Sequence, residues 1–245
     1  MRAVDERSAL AAGACAQTAA LVGIAVTVGL GTAGWVAGLT YLVAGTAVLA
    51  WAMRRAGHSA LGPADLVTLV RSVLIGTVTA LVADGGHVWP VVALASVALA
   101  LDLVDGPVAR GTRTESSFGA RFDMEADAFL ILVLSVHAAL ALGPWVAVIG
   151  VMRYAFVLAG RAAPWLRAPL PPSHMRKVVA AVQGVALVAV SSRLLPHWGA
   201  VAVAVGALAL LVWSFGRDAV CLWRRRPPVG PAAPAADTGS ERGGV

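Results

Sequence analysis

Residues 101–129 read LDLVDGPVARGTRTESSFGARFDMEADAF, and this stretch holds almost half of the negative charge of the chain. The whole chain of 245 residues has 13 Asp and Glu, and six of them lie between positions 102 and 127. The surrounding sequence is mostly Ala, Val, Leu and Gly. Charge gathered in such apolar surroundings is costly, so the pattern indicates a chemical role. The six are Asp102, Asp105, Glu115, Asp123, Glu125 and Asp127.

The composition is that of an all-α integral membrane protein. Hydrophobic residues make up 59% of the chain, charged residues 13%, and the mean hydropathy is +0.80. A soluble domain has about a quarter of its residues charged. The formal charge of +6 comes from basic residues in the gaps between apolar runs, which is typical of cytoplasmic loops. We therefore expect a lipid bilayer, and no nucleic acid, as partner.

Apolar runs long enough to cross a bilayer recur along the chain, since a spanning helix needs about 20 such residues. Short Gly/Pro turns without much charge alternate with gaps rich in arginine, and this alternation orients membrane helices. It predicts a multi-pass plasma-membrane protein with both termini and the acidic stretch on the cytoplasmic side. The eight predicted spans are about residues 9–31, 34–53, 65–83, 88–109, 118–142, 144–163, 176–194 and 197–217.

Three parts are expected from this pattern. Residues 1–55 form an N-terminal pair of transmembrane helices that carries no acidic residue within its spans. Residues 56–226 form a six-helix unit that contains the acidic stretch. Residues 227–245 are rich in Pro, Ala and Gly and lack any apolar period, which predicts a disordered tail.

The acidic residues fall on helix faces. Asp102 and Asp105 are three residues apart and Asp123 and Asp127 are four apart, so each pair shares one face of its helix. The short connection between the two helices makes them antiparallel neighbours, and all four carboxylates can converge at one depth. Carboxylate oxygens suit Mg²⁺ or Mn²⁺. We expect one or two such ions, and a ligand that carries phosphate.

The spacing is Asp102-x2-Asp105-Gly106-x2-Ala109-Arg110-x8-Gly119-x3-Asp123-x3-Asp127. It resembles the motif of the CDP-alcohol phosphotransferase family at every defined position. The resemblance covers six helices and implies that family's bundle, here preceded by two extra transmembrane helices. It also implies two metal ions and a homodimer. Family members transfer a substituted phosphoryl group from a CDP-linked donor, commonly CDP-diacylglycerol, to an acceptor hydroxyl and release CMP.

The resemblance also implies roles for individual residues. The four aspartates would bind metal, and Asp127 would in addition be the general base. The nucleotide would lie against small and basic positions of the motif. Outside it, the segment PADLVTLVR resembles the family's Asn-x2-Thr-x2-Arg, although an Asp stands first and can instead cap the helix. The residues expected at the nucleotide are Gly106, Ala109, Arg110, Gly119, Thr68 and Asp65.

The acceptor is less constrained. The segment MRKVVAAVQ resembles Gly-Lys-x2-Thr-x2-Gln, with Lys177 and Gln183 matching and two positions differing. Basic residues Arg153, Arg176 and Lys177 favour a phosphorylated polyol such as inositol phosphate or glycerol phosphate, although positive loops also serve topology. Phosphatidylglycerol, giving cardiolipin, stays open as acceptor.

Two other classes of protein also fit part of the pattern. A divalent-cation transporter would place its acids near the bilayer midplane on broken helices, whereas these acids lie at one edge and have Arg110 beside them. An inactive scaffold would not need the complete set of aspartates. Glu125 falls outside the motif, and we expect it to pair with Arg121, one helical turn earlier.

Overall fold

A computed structural model describes residues 4–57, 60–85, 87–112, 117–167 and 174–224. Eight α-helices lie within these ranges, joined by short turns that include 3₁₀ segments at Pro144–Ala147 and Pro164–Arg167. Two strands of two residues each, β1 (Val4–Asp5) and β2 (Ala60–Leu61), pair antiparallel. The helices are α1 (Glu6–Thr27), α2 (Thr32–Ala56), α3 (Pro63–Ala83), α4 (Val88–Thr112), α5 (Ser117–Leu142), α6 (Val148–Ala162), α7 (His174–Ser191) and α8 (His197–Arg224).

The expectation of an all-α membrane protein is confirmed. Within the described ranges, six helices are long and apolar enough to cross a bilayer: α1, α2, α3, α5, α6 with its preceding turn, and α8. A shorter apolar stretch, Val88–Asp102, lies in α4. All eight predicted spans are therefore helices, and six of them meet the length and hydropathy of a spanning helix.

The ends of α8 and α1 lie seven and four residues from the predicted ones. α8 continues seven residues beyond position 217, because Arg217 and Asp218 do not interrupt a helix and the first prolines follow only at 227 and 228. α1 ends at Thr27 rather than near 31, because Gly29 takes a left-handed φ of 84°. The predicted disordered tail, residues 227–245, lies outside the described residues.

One end of the bundle gathers the basic side chains, and we call it the arginine-rich end. The last turns of α2, α6 and α8 carry Arg54, Arg55, Arg161 and Arg224. The pairing of β1 with β2 brings the N-terminal segment to the α2–α3 connection at this end. Helices joined by short connections run antiparallel, so the start of α3, the end of α4 and the start of α5 also lie here.

α3 is the centre of the packing and contacts α1, α2, α4 and α5. Its buried apolar residues, among them Ile75, Val78 and Leu81, join those of α5 in the main core. Helices in lipid gain little from burying apolar surface and associate through close packing at small residues. Gly76 shows this, because a Cβ there would lie 2.6 Å from the Gln17 side chain of α1. The two N-terminal helices are thus packed tightly onto the rest.

We expect Gly150→Ala to destabilise the α5–α6 contact. A Cβ at this position would lie 2.5 Å from the Cα atom of Leu132, and backbone cannot move aside as a side chain can. Overpacking of this kind costs about 1–3 kcal/mol. Thermal unfolding in detergent would measure it, with Gly206→Ala in α8 as control, since a Cβ there meets nothing within 4 Å. Equal melting temperatures for the two variants would contradict this prediction.

Candidate active site

Three aspartates from two helices meet at the arginine-rich end. Asp102 comes from α4, and Asp123 and Asp127 come from successive turns of α5. One carboxylate oxygen of each lies within 4.8 Å of the others, a spacing that could hold a metal ion. All three side chains are about one-third exposed, so the cluster is open to a ligand. Of the four carboxylates predicted to converge, the structure brings these three together, and the Asp105 side chain lies outside the described part.

A buried arginine lies at the centre of the cluster. Arg71 of α3 is fully buried, and its Nη1 atom lies 3.1 Å from the Asp102 carboxylate. The same nitrogen contacts Asp123, and the Nη2 atom contacts Asp127. Burying a charge is tolerated only when it is paired and hydrogen-bonded. This guanidinium therefore joins three helices through charge-assisted hydrogen bonds.

The sequence pattern does not define a role for Arg71, although this residue occupies the last position of the segment that resembles Asn-x2-Thr-x2-Arg. The signal was present, since a lone arginine inside an apolar span is a functional-site hypothesis by default. Sequence spacing alone does not tell which neighbouring helix such an arginine meets. The missing information was the packing of α3 against α4 and α5.

The donor set of the cluster fits a divalent cation. Among the described groups, three carboxylates lie around one guanidinium. Hard oxygen donors of this kind are the ligands that Mg²⁺ and Mn²⁺ prefer. The donor set is thus compatible with a metal site, while the identity and the number of ions stay predictions.

Several motif residues lie on α4 beyond Asp102. The helical backbone continues through their positions to Thr112, but their side chains lie outside the described part of the structure. Their predicted metal and nucleotide roles stay predictions. Gly119 is described, and it lies in the first turn of α5, one turn before Asp123. The residues without described side chains are Asp105, Gly106, Ala109 and Arg110.

Asp65 and Thr68 lie on α3 about two turns and one turn before Arg71, respectively, and both are buried. The Asp65 carboxylate accepts a hydrogen bond of 2.9 Å from the Gly62 backbone N–H. Gly62 is the N-cap residue and Pro63 begins the helix, so Asp65 caps α3 from its third position. The Thr68 hydroxyl donates to the Ala64 carbonyl oxygen at 3.3 Å. Both side chains therefore have structural partners beside the site.

We expect Asp65→Ala to lower the free energy of unfolding by about 1 kcal/mol, the usual cost of a lost helix cap. Asp65→Asn keeps an oxygen that accepts from Gly62, and it should restore most of the stability. Thermal unfolding of both variants would measure the effect. If the Asn variant is as unstable as the Ala variant, the cap is not the main contribution of Asp65.

The three residues expected at the acceptor have carboxylate partners or lie exposed. Arg153 Nη2 donates to Glu125 at 2.7 Å, and Arg176 Nη1 lies 3.5 Å from Asp218. Lys177 is exposed at the start of α7. Glu125 is two residues from both Asp123 and Asp127, so it points about 160° away from each. The structure therefore does not place Arg153 beside the aspartates.

The expected pairing of Glu125 with Arg121 is wrong. Glu125 is paired with Arg153 of α6 instead, because α5 and α6 pack together and present a cation from the neighbouring helix. Gln183, which matched a family segment by spacing, is buried and its amide donates to the Ala207 carbonyl oxygen of α8 at 2.8 Å. It connects α7 with α8.

Comparison with known proteins assigns the family. Residues 61–213, more than half of the chain, match the family model described as CDP-alcohol phosphatidyltransferase. The match begins two residues before α3 and contains all three clustered aspartates and Arg71. Comparisons with curated proteins and with solved structures gave no match. The chain therefore belongs to the CDP-alcohol phosphatidyltransferase family, whose members are membrane transferases.

Proposed function

We propose that this protein transfers a phosphatidyl group from CDP-diacylglycerol to the hydroxyl of an acceptor and releases CMP. One observation carries the proposal: Asp102, Asp123 and Asp127 converge around the buried Arg71 inside the family domain. In this reaction the acceptor oxygen attacks the phosphorus that bears the lipid. The bond to CMP breaks, and the acceptor proton passes to the enzyme.

The aspartates divide the work between charge and proton transfer. Asp102, Asp105 and Asp123 would hold the divalent metal, which when bound neutralises the diphosphate and makes CMP a better leaving group. Asp127 would take the proton of the acceptor hydroxyl and would also contact a metal ion. A general base must lie within hydrogen-bond reach of that proton. The partial exposure of Asp127 supports this role, since an acceptor can approach it.

Arg71 would act as a positioning residue. Its two Nη atoms contact one oxygen of each aspartate and so fix α3, α4 and α5 relative to one another. It also reduces the repulsion among the carboxylates, which would otherwise raise the cost of gathering them. Reacting groups held in one geometry avoid an entropic cost at the barrier.

The nucleotide would lie along the arginine-rich end. Gly106, Ala109 and Gly119 would let it approach the helices closely, and Arg110 would bind a phosphate through its planar fork. Thr68 and Asp65 would border this site. The donor's acyl chains would stay in the bilayer, with the active site and both termini facing the cytoplasm and the protein in the plasma membrane.

For the acceptor we propose a phosphorylated polyol, inositol phosphate or glycerol phosphate. Arg176 and Lys177 begin α7 at the arginine-rich end and supply positive charge for its phosphate. The charge of Arg176 is shared with Asp218 at 3.5 Å, a contact long enough for a stronger anion to displace. Arg153 contributes less to this argument, because Glu125 holds it on another face of α5.

The test is CMP release by the purified full-length protein from CDP-diacylglycerol, with and without Mg²⁺ or Mn²⁺. The acceptor panel contains inositol phosphate, glycerol phosphate, inositol, serine and phosphatidylglycerol. Metal-dependent release with a phosphorylated polyol is the expected result. Release with phosphatidylglycerol alone would replace the polyol by cardiolipin-type synthesis. No release with any acceptor would reject CDP-diacylglycerol as donor.

A further inference from the structure

A large groove runs along α2. Its volume is about 1070 Å³, and its walls come from α2, α3, α5 and α6. We call it the α2 groove. Its α2 lining extends from Ala37 to Ala56, about 28 Å at the rise of an α-helix. That length is close to the roughly 30 Å thickness of the hydrocarbon core. α2 lies outside the family match, so this wall is an addition to the family domain.

The α2 groove is separate from the candidate active site. Asp123 and Asp127 do not line the groove, whose α5 wall is formed by Phe118, Arg121, Phe122, Glu125, Ala126 and Phe129. The centre of this lining face is turned by about 140° from Asp123 and about 180° from Asp127 around the helix. The wall of α5 therefore separates the groove from the aspartate cluster. A molecule in the groove would not contact the reacting groups.

The arginine-rich end of the groove carries cations without acidic partners. Arg55 and Arg121 both line it and are exposed, and neither forms an ion pair with a carboxylate of the described residues. Arg55 lies over the Trp51 ring, with its Cζ atom 5.2 Å from the ring centroid. The acidic lining residue, Glu125, is neutralised by Arg153. This end is therefore positively charged and suited to an anion such as a phosphate.

The rest of the groove is mostly apolar and formed largely by small or aromatic side chains. Ala37, Ala44 and Gly45 of α2 leave room along its length, and Phe129 of α5 packs against Tyr41 with ring centroids 5.4 Å apart. An occupant that matches these surfaces has a long apolar body and one anionic end. Those are the properties of an anionic phospholipid, and basic pockets between membrane helices bind such head groups.

A second copy of the chain matches the groove less well. Two copies related by a two-fold axis would present the same surface to each other. Where Arg55 and Arg121 lie near the axis they would approach their own counterparts, and like charges at close range repel. Phospholipid in contrast supplies the opposite charge at the required end.

We propose that the α2 groove is a binding site for an anionic phospholipid. Its phosphate binds Arg55 and Arg121, and an acyl chain lies along α2 against Phe129. In this arrangement α2 gives the family domain a lipid site that is distinct from the reacting centre.

The test is native mass spectrometry of the full-length protein with phosphatidylglycerol or phosphatidylcholine of identical acyl chains. We expect on the order of tenfold stronger retention of phosphatidylglycerol, and a larger rise in the melting temperature of the wild-type protein with that lipid. Because phosphatidylglycerol can also enter the active site as acceptor, variants of the groove itself decide where the lipid is bound.

Two pairs of variants locate the lipid. The double variant Arg55→Gln, Arg121→Gln should lose the preference for phosphatidylglycerol. The double variant Arg54→Gln, Arg161→Gln should keep it, because these two arginines do not line the groove.

Ala44→Trp should fill the groove and abolish lipid retention. Ala47→Trp should not, because Ala47 is exposed and lies outside the lining. Equal retention of the two lipids by the wild-type protein would overturn the proposal. A second result would also overturn it: the wild-type protein retains no lipid, and Ala44→Trp changes the oligomeric state. That result would indicate a second copy of the chain in the groove.

Discussion

Asp127→Asn should lower the rate of CMP release by a factor of about 10²–10⁴, the usual contribution of a positioned general base. The substitution keeps the size of the side chain and an oxygen that can accept from Arg71, so the fold should persist. It removes the group that would take the proton of the acceptor hydroxyl. The measurement is initial rate under saturating donor, acceptor and divalent metal.

Asp84→Asn is the matched control for this variant. Asp84 follows α3 at the opposite end of the bundle, where its carboxylate accepts a 2.8 Å hydrogen bond from the Gly31 N–H. The amide can keep this bond, so the rate should stay close to that of the wild-type protein. If both Asp127→Asn and Asp84→Asn retained most of the activity, the general base would have to be a residue other than Asp127.

Metal dependence separates the role of Asp127 from that of its neighbour. If Asp123 mainly binds metal, the rate of Asp123→Asn should recover in part as Mg²⁺ or Mn²⁺ is raised, because mass action offsets a weaker site. A lost proton acceptor cannot be replaced in this way. Full recovery of Asp127→Asn at high metal would assign Asp127 to metal binding alone.

The convergence of the aspartates was predictable because it depends on local geometry. A spacing of four residues places Asp123 and Asp127 on one face of a helix, and a short connection brings Asp102 to the same end. The helical nature of the eight spans follows from apolar run length in the same way. These features need no knowledge of how distant helices pack.

The contacts that were not predicted all depend on packing between helices. Arg71 reaches aspartates more than 30 positions away in sequence, and the partner of Glu125 comes from α6 rather than from its own helix. The α2 groove arises because α2 lies beside α3 and also contacts α5. Periodicity defines which face of a helix is polar, but it does not define which neighbour that face meets.

Arg71→Gln should destabilise the protein strongly when divalent metal is absent. The substitution removes the guanidinium that contacts Asp102, Asp123 and Asp127, and with it the charge compensation that this group gives them. Breaking a buried ion pair by removing one partner costs about 3–5 kcal/mol. For a chain of this size we expect the apparent melting temperature in detergent with EDTA to fall by roughly 10 °C. Activity should fall as well, since the aspartates would lose their fixed positions.

Divalent metal should then rescue the variant more than it stabilises the wild-type protein. A cation bound among the carboxylates would replace part of the charge compensation that the guanidinium supplied, so Mg²⁺ or Mn²⁺ should raise the melting temperature of Arg71→Gln by the larger amount. The melting temperature of Arg71→Lys should lie between those of the two proteins, because lysine keeps the charge but loses the planar fork that contacts three aspartates.

Arg161→Gln replaces an exposed arginine at the same end, and it should change neither the melting temperature in EDTA nor the rise with metal. A glutamine variant as stable as the wild-type protein in EDTA would mean that the aspartates do not depend on Arg71 for charge compensation. A variant that is unstable but insensitive to metal would mean that the cluster does not bind a divalent cation.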